Sequence, residues 1–409
     1  MRPLLVSTFS LSAALMMAQC VWSKPQNFAR EISFQKLKAP LASGSAVVSP
    51  DGRSVAFVNG NSKARGTVLY DCRSGSSWMD SKGGTPAAWS EDSRVCLSRT
   101  EKEWRLLQPE RRENHAILNQ STIDVPGYID YQPDGVAAWA PQTQRLAVVD
   151  SIESLRFWDG KYWTPSINWG RILKFPDWYR GEVQPFDLTW SRDDRLLTIR
   201  FYGRAERAPG SALHTVVFSV SGRRIKDIWG GDTGEVAWLD GRRMMFKDDD
   251  DGSGLATDLV VVEPRSKRRR VWKSDVMAWA LSPRRDFVCA LLGNGDLVRS
   301  STQKPRWEVM QKKALSQRVV KSSEISVWLR LDISPRGDMV AVSRVEGGRG
   351  IWLFSALPKK PWTIYWKAPT AEANLVGWAQ GRSLPMVALK MKEDEPSQLA
   401  QLRKFEPRA

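Results

Sequence analysis

Side chains able to do covalent or metal chemistry are scarce and scattered in this sequence. Histidine occurs only as His115 and His214, and neither has a second His, a Cys or a carboxylate at metal-ligand spacing. Both sit in strand-like alternating segments, which favours a structural role. No Gly-x-Ser-x-Gly is present, so no serine is marked as the nucleophile of a triad. The acidic run Asp248 to Asp251, followed by Gly252-Ser253-Gly254, is the most concentrated group of oxygens, and Ca²⁺ takes six to eight such ligands. In an EF-type frame Asp249 and Asp251 would be ligands, but Lys247 would occupy the first ligand slot. The run therefore reads as a solvated hairpin loop, with calcium at Asp249 and Asp251 as the alternative and no other cofactor expected.

Four cysteines are present. Cys20 lies in an N-terminal segment that looks like a targeting signal. Arg2 gives a positive start, Leu4 to Ala18 is apolar, and Val21 and Ser23 are acceptable small residues before Lys24. The apolar run is short for a membrane span, so residues 1–23 are expected to be a secretory signal peptide and 24–409 one domain. Export would place the mature protein in the periplasm or outside the cell, where disulfides form. Cys72, Cys96 and Cys289 remain after such cleavage; an odd count without CxxC favours packed free thiols, with a Cys72–Cys96 bridge as the alternative.

Positioning any functional group falls to a repeat. An apolar strand, often ending in Trp, runs into a tight polar turn and a second apolar strand. Copies occur at Ala46 to Gly52, Ala88 to Asp92, Ala138 to Pro141, Thr189 to Asp194, Ala237 to Gly241, Leu281 to Arg285, Ile333 to Gly337 and Gly377 to Gly381. The turn residues have distinct tasks: Pro presets φ, Asp bonds back to the backbone, and Gly accepts positive φ. Spacing of roughly 41–52 residues suits a four-stranded propeller blade. Period-two alternation dominates, and only Ala314 to Ser322 suggests a short helix. The last copy is one strand short, and the alternating segment Arg30 to Leu37 has no partner of its own. An all-β, eight-bladed β-propeller is therefore expected, closed by that N-terminal strand joining the last blade, with seven blades as the alternative.

The motif resembles the TolB-type propeller repeat, a relative of WD-type (WD40-like) repeats whose usual form is Trp-Ser-Pro-Asp-Gly before an apolar strand. The resemblance covers nearly all of residues 24–409 and implies fold rather than activity. It extends to neither a TolB-like N-terminal domain nor a peptidase domain.

The 20 Trp and the formal charge of +16 then carry the functional expectations. Trp89, Trp139, Trp190, Trp238 and Trp378 recur at one repeat position and should pack between blades. Trp163, Trp169, Trp178 and Tyr179 fall outside that register and are candidate ligand-contacting aromatics on a loop. Asp187, Glu235 and Arg330 occupy matching repeat positions and are expected at the channel entrance, as ligand-binding candidates with Trp178 and Tyr179. Cations gather in the third-to-fourth strand turns: Arg223, Arg224 and Lys226, then Arg265, Lys267, Arg268, Arg269 and Arg270, then Lys304 and Arg306, then Lys359 and Lys360. One basic face would attract an acidic protein or an anionic envelope component, including peripheral membrane contact. Nothing resembles a groove-reading motif for nucleic acid. The expectation is an exported, monomeric, non-enzymatic interaction platform or scaffold for protein binding. The alternative is a hydrolase or lyase acting on glycan or peptide at the upper face or channel.

Overall fold

The computed structural model describes residues 33–59, 66–82, 84–100, 103–119, 136–151, 154–174, 183–204, 211–222, 224–248, 256–315, 329–344, 350–357, 363–367, 372–379, 384–390 and 397–404. Residues 1–23, Trp178, Tyr179, Arg223, Asp249, Asp251, Lys359 and Lys360 lie outside them.

The first two repeats comprise β1 (Ser33–Val48), β2 (Ser54–Asn59), β3 (Thr67–Asp71), β4 (Ser77–Asp80), β5 (Thr85–Trp89), β6 (Cys96–Arg99), β7 (Glu103–Gln108) and β8 (Glu113–Asn119). Next come β9 (Val136–Trp139), β10 (Leu146–Ser151), β11 (Ser154–Trp158), α1 (Trp169–Ile172), β12 (Gln184–Trp190), β13 (Leu196–Arg204), β14 (Ser211–Ser221) and β15 (Arg224–Asp232). They are followed by β16 (Val236–Trp238), β17 (Met244–Asp248), β18 (Thr257–Glu263), β19 (Arg268–Leu281), β20 (Phe287–Leu292), β21 (Leu297–Ser301) and β22 (Glu308–Gln311). The chain finishes with β23 (Leu329–Ile333), β24 (Met339–Arg344), β25 (Gly350–Ser355), β26 (Thr363–Lys367), β27 (Glu372–Ala379), β28 (Leu384–Lys390) and β29 (Ser397–Lys404).

All pairings between these strands are antiparallel. Successive first strands pack on one another, β1 on β5, β5 on β9 and β9 on β12, and later β19 on β23 and β27 on β1. The expected closure is present: Phe34 pairs with Leu402 and Lys36 with Ala400 on β29, while Val47 and Val48 pair with β2. The expected number of blades, eight or alternatively seven, is corrected. The eight copies of the turn lie in six hydrogen-bonded sheets, neither eight nor seven, and two of those sheets have seven strands. The cause is that β1 and β19 do not stop at a repeat boundary. Bulges between Leu41 and Ala46, and between Val276 and Ala278, turn each strand so that it pairs with one repeat and then the next.

The motif turn is held by Ser and Asp as much as by Pro and Gly. Ser49, Ser90, Ser191, Ser282 and Ser334 each donate from Oγ to a turn aspartate at 2.6–2.7 Å. Each Oγ also accepts from the N–H five residues on. The fourth turn residue has positive φ whether or not it is glycine: Gly52, Ser93, Asp194, Arg285 and Gly337.

The register tryptophans Trp89, Trp139, Trp190, Trp238 and Trp378 are buried at seams between repeats. Trp89 Nε1 donates to Val47 O at 2.9 Å and Trp190 Nε1 to Ala138 O at 3.1 Å, each reaching the previous first strand. Trp169, expected on an exposed loop, is instead fully buried in α1 and packs on Phe201 with ring centroids 5.5 Å apart. Trp163 is half-buried and donates to Ile117 O at 2.6 Å. The three described cysteines are buried free thiols, Cys72 beside Met386 and Cys289 beside Met310. Burial pushes the Cys72 and Cys289 thiols up to about 12.

A charged clamp also joins the first two repeats. Arg105 Nε lies 3.2 Å from Asp80 Oδ2, both side chains are buried, and Asn114 donates to Asp80 Oδ1 at 3.1 Å. Arg105 also pairs with Glu103 and donates to Asn114, so losing Asp80 would leave its buried charge only partly compensated, a loss of about 1–3 kcal/mol. Asp80→Ala is expected to reduce the unfolding free energy in urea by that amount; an unchanged midpoint would contradict the clamp.

Candidate functional site

Two ends of the ring present chemistry. At the end where first strands begin, Asp187 on β12 faces Arg200 on β13 across the ladder, and their side chains pair at 3.0 Å. Arg200 also stacks over Phe186, with its guanidinium 4.7 Å from the ring centroid. Its buried Nε has no acceptor among the described residues, leaving a donor available. On β23, Arg330 pairs with Asp332 at 3.5 Å and donates to Leu375 O at 3.2 Å.

Glu235 precedes β16 and lies within electrostatic reach of both pairs. Its side chain is exposed to solvent, yet protein surrounds it at longer range, and that wider environment biases its ionisation. Desolvation pushes its carboxyl above the usual range, Arg200 and Arg330 oppose that shift, and Asp187 and Asp332 add to it. Asp332 is also raised by burial, against the Arg330 charge and the Ile333 N–H. The structure thus brings together the three residues expected here, Asp187, Glu235 and Arg330. It adds Arg200 and Asp332, charged residues inside mostly apolar strands. Two guanidiniums can orient an anionic or hydroxyl-bearing ligand, and the surroundings of Glu235 favour its neutral form more than water would. Neither histidine is part of this group: His115 sits beside Glu113, and His214 stacks on Phe201. Among the described residues no metal-ligating cluster is present.

At the opposite end the motif turns meet the third-to-fourth strand turns. Arg145 donates to Gly222 O at 2.5 Å, and Thr302 Oγ1 to Arg285 O at 2.7 Å. Arg285 lies within reach of Arg192, Glu91 and Asp240, so turns from four repeats converge; burial first, and then Arg192, lowers its pKa. Arg224, Lys226, Arg265, Lys267, Lys304 and Arg306 are exposed at or beside these turns. Arg268, Arg269 and Arg270 extend into the first part of β19, which pairs with β18 on one side, rather than lying in the turn itself. Charge on an open edge also blocks pairing with another sheet. Arg269 forms an ion pair with Asp248 and is the exception in a run otherwise without ion pairs among the described residues.

No protein-family model matches the sequence, and no curated protein matches it. Solved structures do match in shape. An oligogalacturonate lyase from Vibrio parahaemolyticus superposes with a TM-score of 0.51 at 9% identity, over 92% of this chain and 96% of that one. The β-propeller domain of Cps50 (Swd1) from Myceliophteria thermophila gives 0.48 at 9% identity, over 92% and 100%. The WD40 repeats of RRP9 give 0.45 at 11%, over 91% and 100%. The chain is a β-propeller. At these identities the likeness concerns the propeller fold alone, with WD40-repeat proteins among its neighbours, and no match supports the narrower TolB-type assignment.

The raised carboxyl in this propeller has a measurable consequence. The folded state holds the Glu235 proton more tightly than the unfolded chain does, so its contribution favours folding below the ordinary carboxylate range. That contribution is lost as pH rises through the folded value. Glu235→Gln is therefore expected to raise the Tm at about pH 7 and to have little effect at about pH 4. A lower Tm at neutral pH would mean that the charged form is the stabilised one.

Proposed function

We propose that this chain is an exported propeller that binds rather than transforms its partner, docking through a basic rim on an anionic surface. One observation carries the reading: Arg265, Lys267, Arg268 and Arg270 stand exposed in one hairpin, with no ion pair among the described residues. Arg224, Lys226, Lys304 and Arg306 extend the charge into the neighbouring repeats on the same end. Cations near an anionic leaflet each add roughly 1 kcal/mol of attraction. The signal-peptide reading of residues 1–23 belongs to the same proposal and puts an envelope surface within reach. The described residues contain no helix long and apolar enough to cross a membrane. Contact would then be peripheral, through phospholipid headgroups or an acidic envelope protein.

A second reading, an enzyme working on glycan or peptide from the channel, is favoured by Glu235, a protonatable carboxyl between two guanidiniums. Loss of turnover on Glu235→Gln with ligand affinity retained would select it.

The docking reading is tested by sedimenting the protein with phosphatidylglycerol-containing vesicles. Replacing Lys267, Arg268, Arg269 and Arg270 with Ser is expected to weaken adsorption by tenfold or more and to leave Tm nearly unchanged. Adsorption should also fall as salt rises. Native protein that fails to adsorb at low ionic strength would contradict the reading.

A further inference from the structure

A groove opens on the motif-turn end between the first two repeats, on the same end of the ring as the basic rim but in different repeats. It is an open groove of about 530 Å³, walled by the β1–β2 and β3–β4 turns on one side and the β5–β6 and β7–β8 turns on the other. Four arginines line it, Arg53, Arg73, Arg94 and Arg112, with Trp78 in its wall.

Formal charge in the groove is balanced, but the groups are not equally free. Asp51, Asp71 and Asp92 each commit Oδ1 to backbone N–H groups of their own turns, while Glu110 lines the β7–β8 side. Arg53 and Arg94 touch those aspartates only at 3.5 and 3.9 Å and remain largely exposed. Such contacts are easily exchanged for a ligand oxygen. Arg73 and Arg112 have no ion pair among the described residues. Trp78 is half-buried, packed on one side against the cluster containing Leu69, Trp89 and Cys96 while lining the groove.

An uncommitted guanidinium pair, an indole and a rim of serine hydroxyls fit a particular ligand chemistry. Indole faces take the C–H face of a sugar ring, hydroxyls and carboxylates pair with ring hydroxyls, and guanidiniums take acidic substituents in bidentate fashion. Apolar peptide side chains would find little here, since Leu69 and Pro109 are the aliphatic lining. We propose that the groove between the first two repeats binds an acidic oligosaccharide, Trp78 stacking on a sugar ring while Arg73 and Arg112 pair with its carboxylates. This site is independent of the rim on the later repeats.

Titration calorimetry of the full chain with a short alginate oligosaccharide tests it, beside a neutral maltooligosaccharide of equal length and polyglutamate. Native protein is expected to bind alginate and not the neutral sugar. Arg73→Ser with Arg112→Ser should weaken alginate binding about tenfold or more, and the Ser variant at 267–270 should leave it unchanged. Trp78→Phe, which keeps the packing, should weaken it less than the arginine pair. No binding of alginate by native protein at low salt overturns the proposal. So does loss on the 267–270 variant alone, which would move the site to the rim. Polyglutamate binding as tightly through the same arginines would replace the sugar by an acidic peptide.

Discussion

One antiparallel pairing governs this molecule: β1 is hydrogen-bonded to the last strand of the chain along its first half and to β2 along its second. A stack of small sheets has an open edge at each end, and an unpaired edge recruits other strands. Joining β29 to β1 removes that liability and places the first repeat beside the eighth. The seam it creates buries Val55, Phe57 and Met386. Every distance across the axis follows from closure, including the reach between Asp187, Glu235 and Arg330.

Within that ring the seams are built alike but not identically. Apolar side chains fill most of each, and a tryptophan donates across to the preceding first strand in two. Where charge replaces apolar contact, the replacement is local and paired, as at Asp80 and Arg105. The first-strand end differs, because the carboxyls of Asp187, Glu235 and Asp332 gather there with the guanidiniums of Arg200 and Arg330. Propellers commonly tolerate such departures where ligands approach the axis, since rigid sheets can support a locally unfavourable charge.

Much of the fold was legible because the repeat is specified locally. A Ser, an Asp and a residue accepting positive φ define each turn within about six positions, and alternation defines the strands on either side. Closure was legible from strand bookkeeping, since one copy lacked a partner and one segment was spare. The fusion of sheets was not, because a bulge leaves no signature in composition. Trp169 was misplaced for a related reason: it lies outside the repeat register, yet a short helix folds it into the core. At the site, repeat register alone placed Asp187, Glu235 and Arg330. Arg200 escaped because its partner Asp187 lies across the ladder on another strand, and Asp332 because it sits two residues beyond the repeat position that Arg330 occupies. Basic residues were readable as a cluster, but the pairing of Arg269 with Asp248 required the folded chain.

Amide hydrogen exchange resolved to single residues is the most direct test of closure. The backbone amides of Phe34 to Lys36 and of Leu399 to Leu402 should exchange as slowly as those of the buried strand Phe287 to Leu292. Rapid exchange at both segments, with the rest of the ring protected, would mean that the first and last strands do not meet.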